Sequence, residues 1–189
     1  MVRRYDPDRP VPSAVLEEVL AAALRAPSAG DTQGVSLLVL REPAGIETYW
    51  AATTVAGEPD RWLQGMRTAP ALVLVWTSEL AYRDRYTEPD KGWVERGTDR
   101  WSAPYWYVDA GMASMAALLA AEDAELGACF FGVPPGAVEA VRAAFGVPAE
   151  QSSVGVISLG YPPSQGSRPA PRRRPKRLNR VHLDRWGEQ

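Results

Sequence analysis

The stretch Tyr105-Trp106-Tyr107-Val108-Asp109-Ala110-Gly111-Met112-Ala113-Ser114-Met115-Ala116-Ala117-Leu118-Leu119-Ala120-Ala121-Glu122-Asp123-Ala124-Glu125-Leu126 reads as one long helix. Small residues recur through it, at Ala110, Gly111, Ala113, Ser114, Ala117, Ala120 and Ala121, and leave little room for a polar face. Such a helix is central, buried by the body of the domain or by a partner subunit. Gly127 fits as its C-cap. Its mostly apolar run, Ala110 to Ala121, is shorter than the roughly 20 residues of a membrane span.

Working outward, Ala128 to Phe131 reads as a short strand, and Pro134-Pro135 opens a helix through Val138, Val141 and Phe145 that ends at Gly146. Ser153 to Tyr161 is the last core strand, followed by a Pro/Ser/Gly linker, Pro162 to Pro171. Upstream, Ala69 to Trp76 lacks polar alternation and reads as a strand buried on both faces. Ser13 is a candidate N-cap for a helix whose one face carries Val15, Leu16, Val19, Leu20, Ala23 and Leu24, and which ends at Ala26, before Pro27. Ala26 to Asp31 is a tight loop, Val35 to Arg41 a strand, and Pro43 to Thr53 and Pro59 to Arg67 are short helices.

Residues 78–103 mix charges with Tyr82, Tyr86, Trp93 and Trp101 and read as a surface excursion, the kind of segment that forms lids. Trp93, Trp101, Tyr105 and Trp106 suit either a pocket wall or anchors that pin the excursion to the body. The order of elements gives a single α+β or α/β layered domain over residues 1–189. Four short strands make a small core for so many helices, which points to an oligomer.

Composition bounds the chemistry. The 189 residues are 46% hydrophobic and 23% charged, as in an ordinary globular domain. No apolar h-region follows the N-terminal Met-Val-Arg-Arg, so no signal peptide is expected. One cysteine, Cys129, allows no internal disulfide and fits a cytoplasmic protein. One histidine, His182, and one cysteine exclude the usual Cys/His zinc sites. Gly-x-Gly-x-x-Gly after a strand, a Walker-type phosphate loop and a Gly-x-Ser-x-Gly elbow are all missing. Cys129 between apolar neighbours reads as a packing residue, and no carboxylate pair can be established. A bound cofactor is therefore the better place to look for chemistry.

Residues 168–189 carry eight basic side chains against two acids, while residues 1–167 hold 13 basic and 21 acidic, a net of −8. A basic tail on an acidic body wants an anion: nucleic acid, the body itself, or a phosphate-bearing small molecule. Pro169, Pro171 and Pro175 break any helix, and no aromatic is interleaved before Trp186, so a nucleic-acid patch is disfavoured; with no apolar run long enough to span a bilayer, no membrane partner is expected either.

Five stretches in order resemble the FMN-dependent nitroreductase family: Arg3 to Pro12; Leu24 to Gln33; Asp109 to Met112 with its helix and Leu126-Gly127; Gly155 to Pro162; and Arg172 to Pro175 with His182 and Arg185-Trp186. The resemblance implies a layered α/β/α domain of α+β class, a mixed sheet surrounded by helices, and an intertwined homodimer with FMN at the interface. It implies hydride transfer from NADH or NADPH via flavin N5 to a small-molecule acceptor such as a nitroaromatic or quinone, in a ping-pong cycle. Two alternatives share the fold: a flavin-binding protein without turnover, and a specialised flavin-modifying enzyme.

Carried over residue by residue, Arg3 faces the flavin N1/O2 edge, where a cation stabilises the charge of the reduced ring. Pro27, Ser28 and Asp31 lie in a loop that covers the ring from the other subunit, and Gln33 supports that loop. Gln64 contacts the pyrimidine ring. Phe131 and Gly132 offer backbone N–H groups toward N5, and Gly132 leaves the nicotinamide face open. Arg173, with Arg172 next, grips the phosphate, and residues 162–189 form a basic C-terminal arm. Three departures follow. The family's upstream basic clamp is missing, which leads us to expect a start at an internal methionine. Asp31 replaces the usual Asn and cannot donate to a flavin carbonyl unless protonated. Gly34-Val35 replaces a common Pro-Trp pair.

Overall fold

The strand Ala71–Thr77 (β2) is buried along its whole length, and its two faces feed two separate cores. Ala71, Val73 and Val75 pack with residues of helices α1 (Ser13–Leu24) and α5 (Tyr105–Asp123). Leu72, Leu74 and Trp76 pack on the opposite side with residues of α2 (Pro43–Thr53), α3 (Arg61–Met66) and α6 (Val138–Phe145). The result is a three-layer α/β/α sandwich around β2 and its partners β1 (Val35–Leu40), β3 (Gly127–Phe131) and β4 (Ser152–Gly160). Helix α4 (Glu79–Tyr86) lies beside the turn Ala29–Asp31. This computed structural model describes residues 1–54, 59–94, 97, 100–163 and 180–186.

The sheet order is β1-β2-β4-β3. Every adjacent pair is antiparallel, which corrects the expected mixed sheet. Strands β2 and β3 do run in the same direction, because both pair antiparallel with β4. Strand β4 is inserted between them, so no parallel pair becomes adjacent. The α+β layered class holds.

Helix α5 is placed by its small residues. Ala110, Ala113, Ala117 and Ala121 are all buried at helical spacing and let α5 sit close to α1 and the sheet. Its opposite side is apolar and open: Val108, Met112, Met115 and Leu119 are 42, 38, 52 and 57% exposed. The C-terminus differs from expectation. Glu125 takes the left-handed conformation (φ 59°), the Leu126 N–H donates to the Ala121 carbonyl, and Gly127 already belongs to β3. A glycine suits that strand position because a Cβ would meet Val2 at 2.8 Å. Helix α1 stops at Leu24 rather than Ala26, and Ser13 is its first residue rather than its cap, accepting from Arg41.

Candidate functional site

Residues 26–34 link α1 to β1 through a turn with three left-handed residues, Gly30, Asp31 and Gln33 (φ 67°, 56° and 53°). Two of these are not glycine, and such backbone costs on the order of 1 kcal/mol each unless its surroundings enforce it. Within the loop, the Gln33 N–H donates to Ser28 Oγ at 3.0 Å and the Asp31 N–H to the Ser28 carbonyl at 3.0 Å. Gln33 Nε2 donates to Asp31 Oδ1 at 3.1 Å. Asp31 is thus an acceptor, and the neighbouring side-chain amide is the donor at this point of the loop.

The loop is also held from behind. The Ala29 N–H donates to Asp109 Oδ2 at 2.7 Å, and the Tyr82 hydroxyl donates to the same oxygen at 2.8 Å. Asp109 is 2% exposed and Tyr82 fully buried. Burial, and then the neighbouring Asp109 carboxylate, push the Tyr82 phenol above the usual tyrosine range, so it stays a donor. Arg85 Nε donates to the Gly30 carbonyl at 2.9 Å. Pro27, Ser28, Gln33 and Asp109 all line one cavity of about 150 Å³.

A second set of residues gathers on the other edge of the sheet. The Val2 N–H donates to the Ala128 carbonyl at 3.0 Å and the Tyr5 N–H to Thr68 Oγ1 at 2.8 Å, laying residues 2–5 between β3 and α3. A Cβ at Gly65 would collide with the Arg3 carbonyl, so glycine is required for this approach. Arg3 is exposed and interacts with the Cys129 thiol, whose pKa burial nonetheless pushes up. Gln64 on α3 donates to the Pro59 carbonyl at 2.8 Å. Phe131 stacks on Trp50 at 6.0 Å and meets the edge of Trp62 at 5.5 Å. Beyond it, Gly132 faces open space: a Cβ there would meet nothing within 4 Å.

Strands β1 and β3 are the two sheet edges, three strand spacings apart, or about 14 Å. One chain therefore brings Pro27, Ser28, Asp31 and Gln33 together, and separately Arg3, Gln64, Phe131 and Gly132, but does not join the two sets. The profile of the Nitroreductase family matches residues 1–161.

The chain belongs to the nitroreductase family.

Among nitroreductase-family relatives, a candidate NADH dehydrogenase/NAD(P)H nitroreductase of Methanothermobacter thermautotrophicus is 29% identical over 188 residues, 98% of this chain and 82% of the relative. The structure of a candidate nitroreductase from Desulfovibrio desulfuricans in complex with FMN is 25% identical. It has a TM-score of 0.65 and covers 89% of this chain and 86% of its own. An FMN-dependent nitroreductase from Clostridium difficile, 20% identical with TM-score 0.70 over 98% and 94%, shares the fold.

Arg172 and Arg173 lie outside the described residues of this nitroreductase-family chain, as does most of the basic arm. Near its end, His182 stacks on Trp186 at 4.4 Å. The excursion is anchored to the body: Tyr86, Trp93 and Trp101 pack on one another, and Trp101 meets Tyr82, Tyr105 and Trp106. No group of three or more His, Cys, Asp or Glu among the described residues could hold a metal, and no described helix is long and apolar enough to cross a membrane. Sequence reasoning missed Tyr82, Arg85 and the partners of Asp109. One signal was available: Asp109 is the only charged residue between Tyr105 and Ala121.

Proposed function

We propose that two copies of this chain clasp FMN between loop 26–33 of one copy and Arg3, Gln64, Phe131 and Gly132 of the other. The dimer would act as an NADH- or NADPH-dependent oxidoreductase on a small acceptor of the nitroaromatic or quinone class. The observation that carries this reading is the division of the expected site between opposite edges of one sheet, which a second copy can supply. The exposed stripe Val108, Met112, Met115 and Leu119 is an apolar surface for that second copy.

The residues present fit the cofactor. A Cβ at Gly132 would meet nothing within 4 Å, so a flat ring could approach the backbone there. Bound FMN supplies a ring that takes up a hydride in one half-reaction and gives it up in the next. Arg3 brings a guanidinium whose charge favours the electron-rich form of that ring. Gln33 and Gln64 would supply side-chain amide contacts to the ring, and Ser28 and Pro27 would close its far side against water. Arg172 and Arg173 would supply paired charged hydrogen bonds to the phosphate.

The test is the visible spectrum of the purified protein with FMN, alongside its mass by sedimentation. A flavin band that bleaches with NADH or NADPH and returns on adding a quinone, carried by a dimer, is expected. A band that never bleaches leaves only flavin binding. A protein that takes up no FMN, or a flavin-loaded monomer, overturns the shared-site reading. Leu119→Glu is expected to convert the dimer to monomer and to release the flavin.

A further inference from the structure

We infer that Asp109 and Tyr82 are positioning residues for the cofactor loop, so that the excursion's helix α4 and the central helix α5 together set how the flavin is held. The inference rests on the reading that residues 26–33 cover FMN.

First, one buried carboxylate oxygen receives both the Ala29 N–H and the Tyr82 hydroxyl, at 2.7 and 2.8 Å. Second, the loop is moulded onto aromatic rings of α4. A Cβ at Gly34 would overlap the Tyr82 ring, and one at Gly30 would come within 2.7 Å of the Tyr86 ring. Third, Arg85 on the same helix holds the Gly30 carbonyl at 2.9 Å. Tyr82, Arg85 and Tyr86 are three and four residues apart, so one face of α4 touches the loop at successive points. Fourth, Thr77 Oγ1, at the end of β2, donates to the Trp106 carbonyl of α5 at 3.0 Å, and the Ser78 N–H donates to the Gly34 carbonyl at 3.1 Å. The junction of β2, α4 and α5 is thereby tied to the loop's exit.

Asp109 would therefore act on the bound ring through the Ala29 amide, which it holds at 2.7 Å. Ala29 precedes the three left-handed residues Gly30, Asp31 and Gln33, with only Thr32 among them in an ordinary helical conformation. Losing the anchor would let that strained backbone relax toward commoner dihedrals and carry Ser28, Asp31 and Gln33 away from the ring.

The experiment compares wild type with Asp109→Ala, Asp109→Asn, Tyr82→Phe and, as a stability control in the other core, Val141→Ala. Amide hydrogen exchange at Ala29 and Gln33 is measured in the FMN-free protein, FMN affinity by titration, and the loaded flavin by its absorption spectrum. Asp109→Ala is expected to speed exchange at Ala29 by tenfold or more, to weaken FMN at least tenfold and to shift the flavin band. Asp109→Asn, which keeps an acceptor oxygen, should restore most of both. Tyr82→Phe should give a smaller change of the same kind. Val141→Ala should lower the melting temperature and alter neither exchange at Ala29 nor the flavin. If Asp109→Ala and Tyr82→Phe lose only melting temperature, with exchange and flavin unchanged, the inference is overturned. If wild type takes up no FMN, the proposed function falls, and exchange at Ala29 still decides whether the pair holds the loop.

Discussion

Loop 26–34 and the end of β3 at Phe131-Gly132 lie at the same end of the sheet, and they are built in opposite ways. The first is held by side chains from two other elements, Asp109 on α5 and Tyr82 and Arg85 on α4, and its backbone is forced into left-handed conformations. The second is an open strand end, packed underneath by Trp50 and Trp62 and bare above Gly132. A site that must grip a ligand precisely and still admit a substrate can divide the work in this way. One side is fixed in advance, which would lower the ordering cost of binding, and the other is open at Gly132.

That contrast can be broken most sharply at Asp109. Removing its carboxylate in Asp109→Ala strands the buried Tyr82 hydroxyl and the Ala29 N–H, at a cost of roughly 1–3 kcal/mol per unsatisfied group, so we expect a loss of about 3 kcal/mol in urea unfolding. A loss below 1 kcal/mol would show that the loop is not held from behind. Gly34→Ala comes next. Its new methyl must displace the buried Tyr82 ring, an overpacking cost of about 2 kcal/mol. On the open side, Gly132→Ala meets nothing and should change unfolding by less than about 0.5 kcal/mol, while narrowing access to any ring bound there. A large destabilisation at Gly132 would mean that the two regions are not different in kind.

The smallest effect lies at the rim of the held loop, where Arg85 also pairs with Asp90 and Glu88. The hydrogen bond from Arg85 holds the Asp90 carboxyl down to about 2. Its folded value is depressed below that of the unfolded chain, so its contribution is present above about pH 4 and lost as pH falls toward 2. Because Asp90 is solvent-exposed, salt should screen the effect. Asp90→Asn should flatten the acid limb of stability between those values. An unchanged limb would show that this ion pair does nothing for the loop.

Much of the fold was legible in the sequence. The unbroken apolar run before Trp76 marked the doubly buried strand, and the Ala spacing of α5 marked the helix that sits closest to it. Pro43–Thr53 formed a helix with the bounds its sequence implied. Boundaries set by competing local signals were harder to read. Gly127 looked like a cap, but the left-handed residue that ends the helix is Glu125, and Gly127 lies in β3 where a Cβ would meet Val2. In the site, Ser28, Asp31 and Gln33 could be named together because the family resemblance runs through one short stretch, Leu24 to Gln33. Their anchors could not, since Ala29 and Asp109 are 80 residues apart and Tyr82 lies on a segment that reads as surface.

The sequence by itself determined the layered class and the central helix, because composition and hydrophobic period act over neighbouring residues, and it pointed to a cofactor as the better place to look for chemistry. Only the tertiary structure decided three further matters: that the sheet is antiparallel, that the expected site divides between its two edges, and that the buried Asp109 carboxylate holds the loop. Each depends on which strand is inserted beside which, and on burial that removes water from Asp109 and makes its two donors obligatory. Those are properties of distant segments brought together, and no local pattern records them.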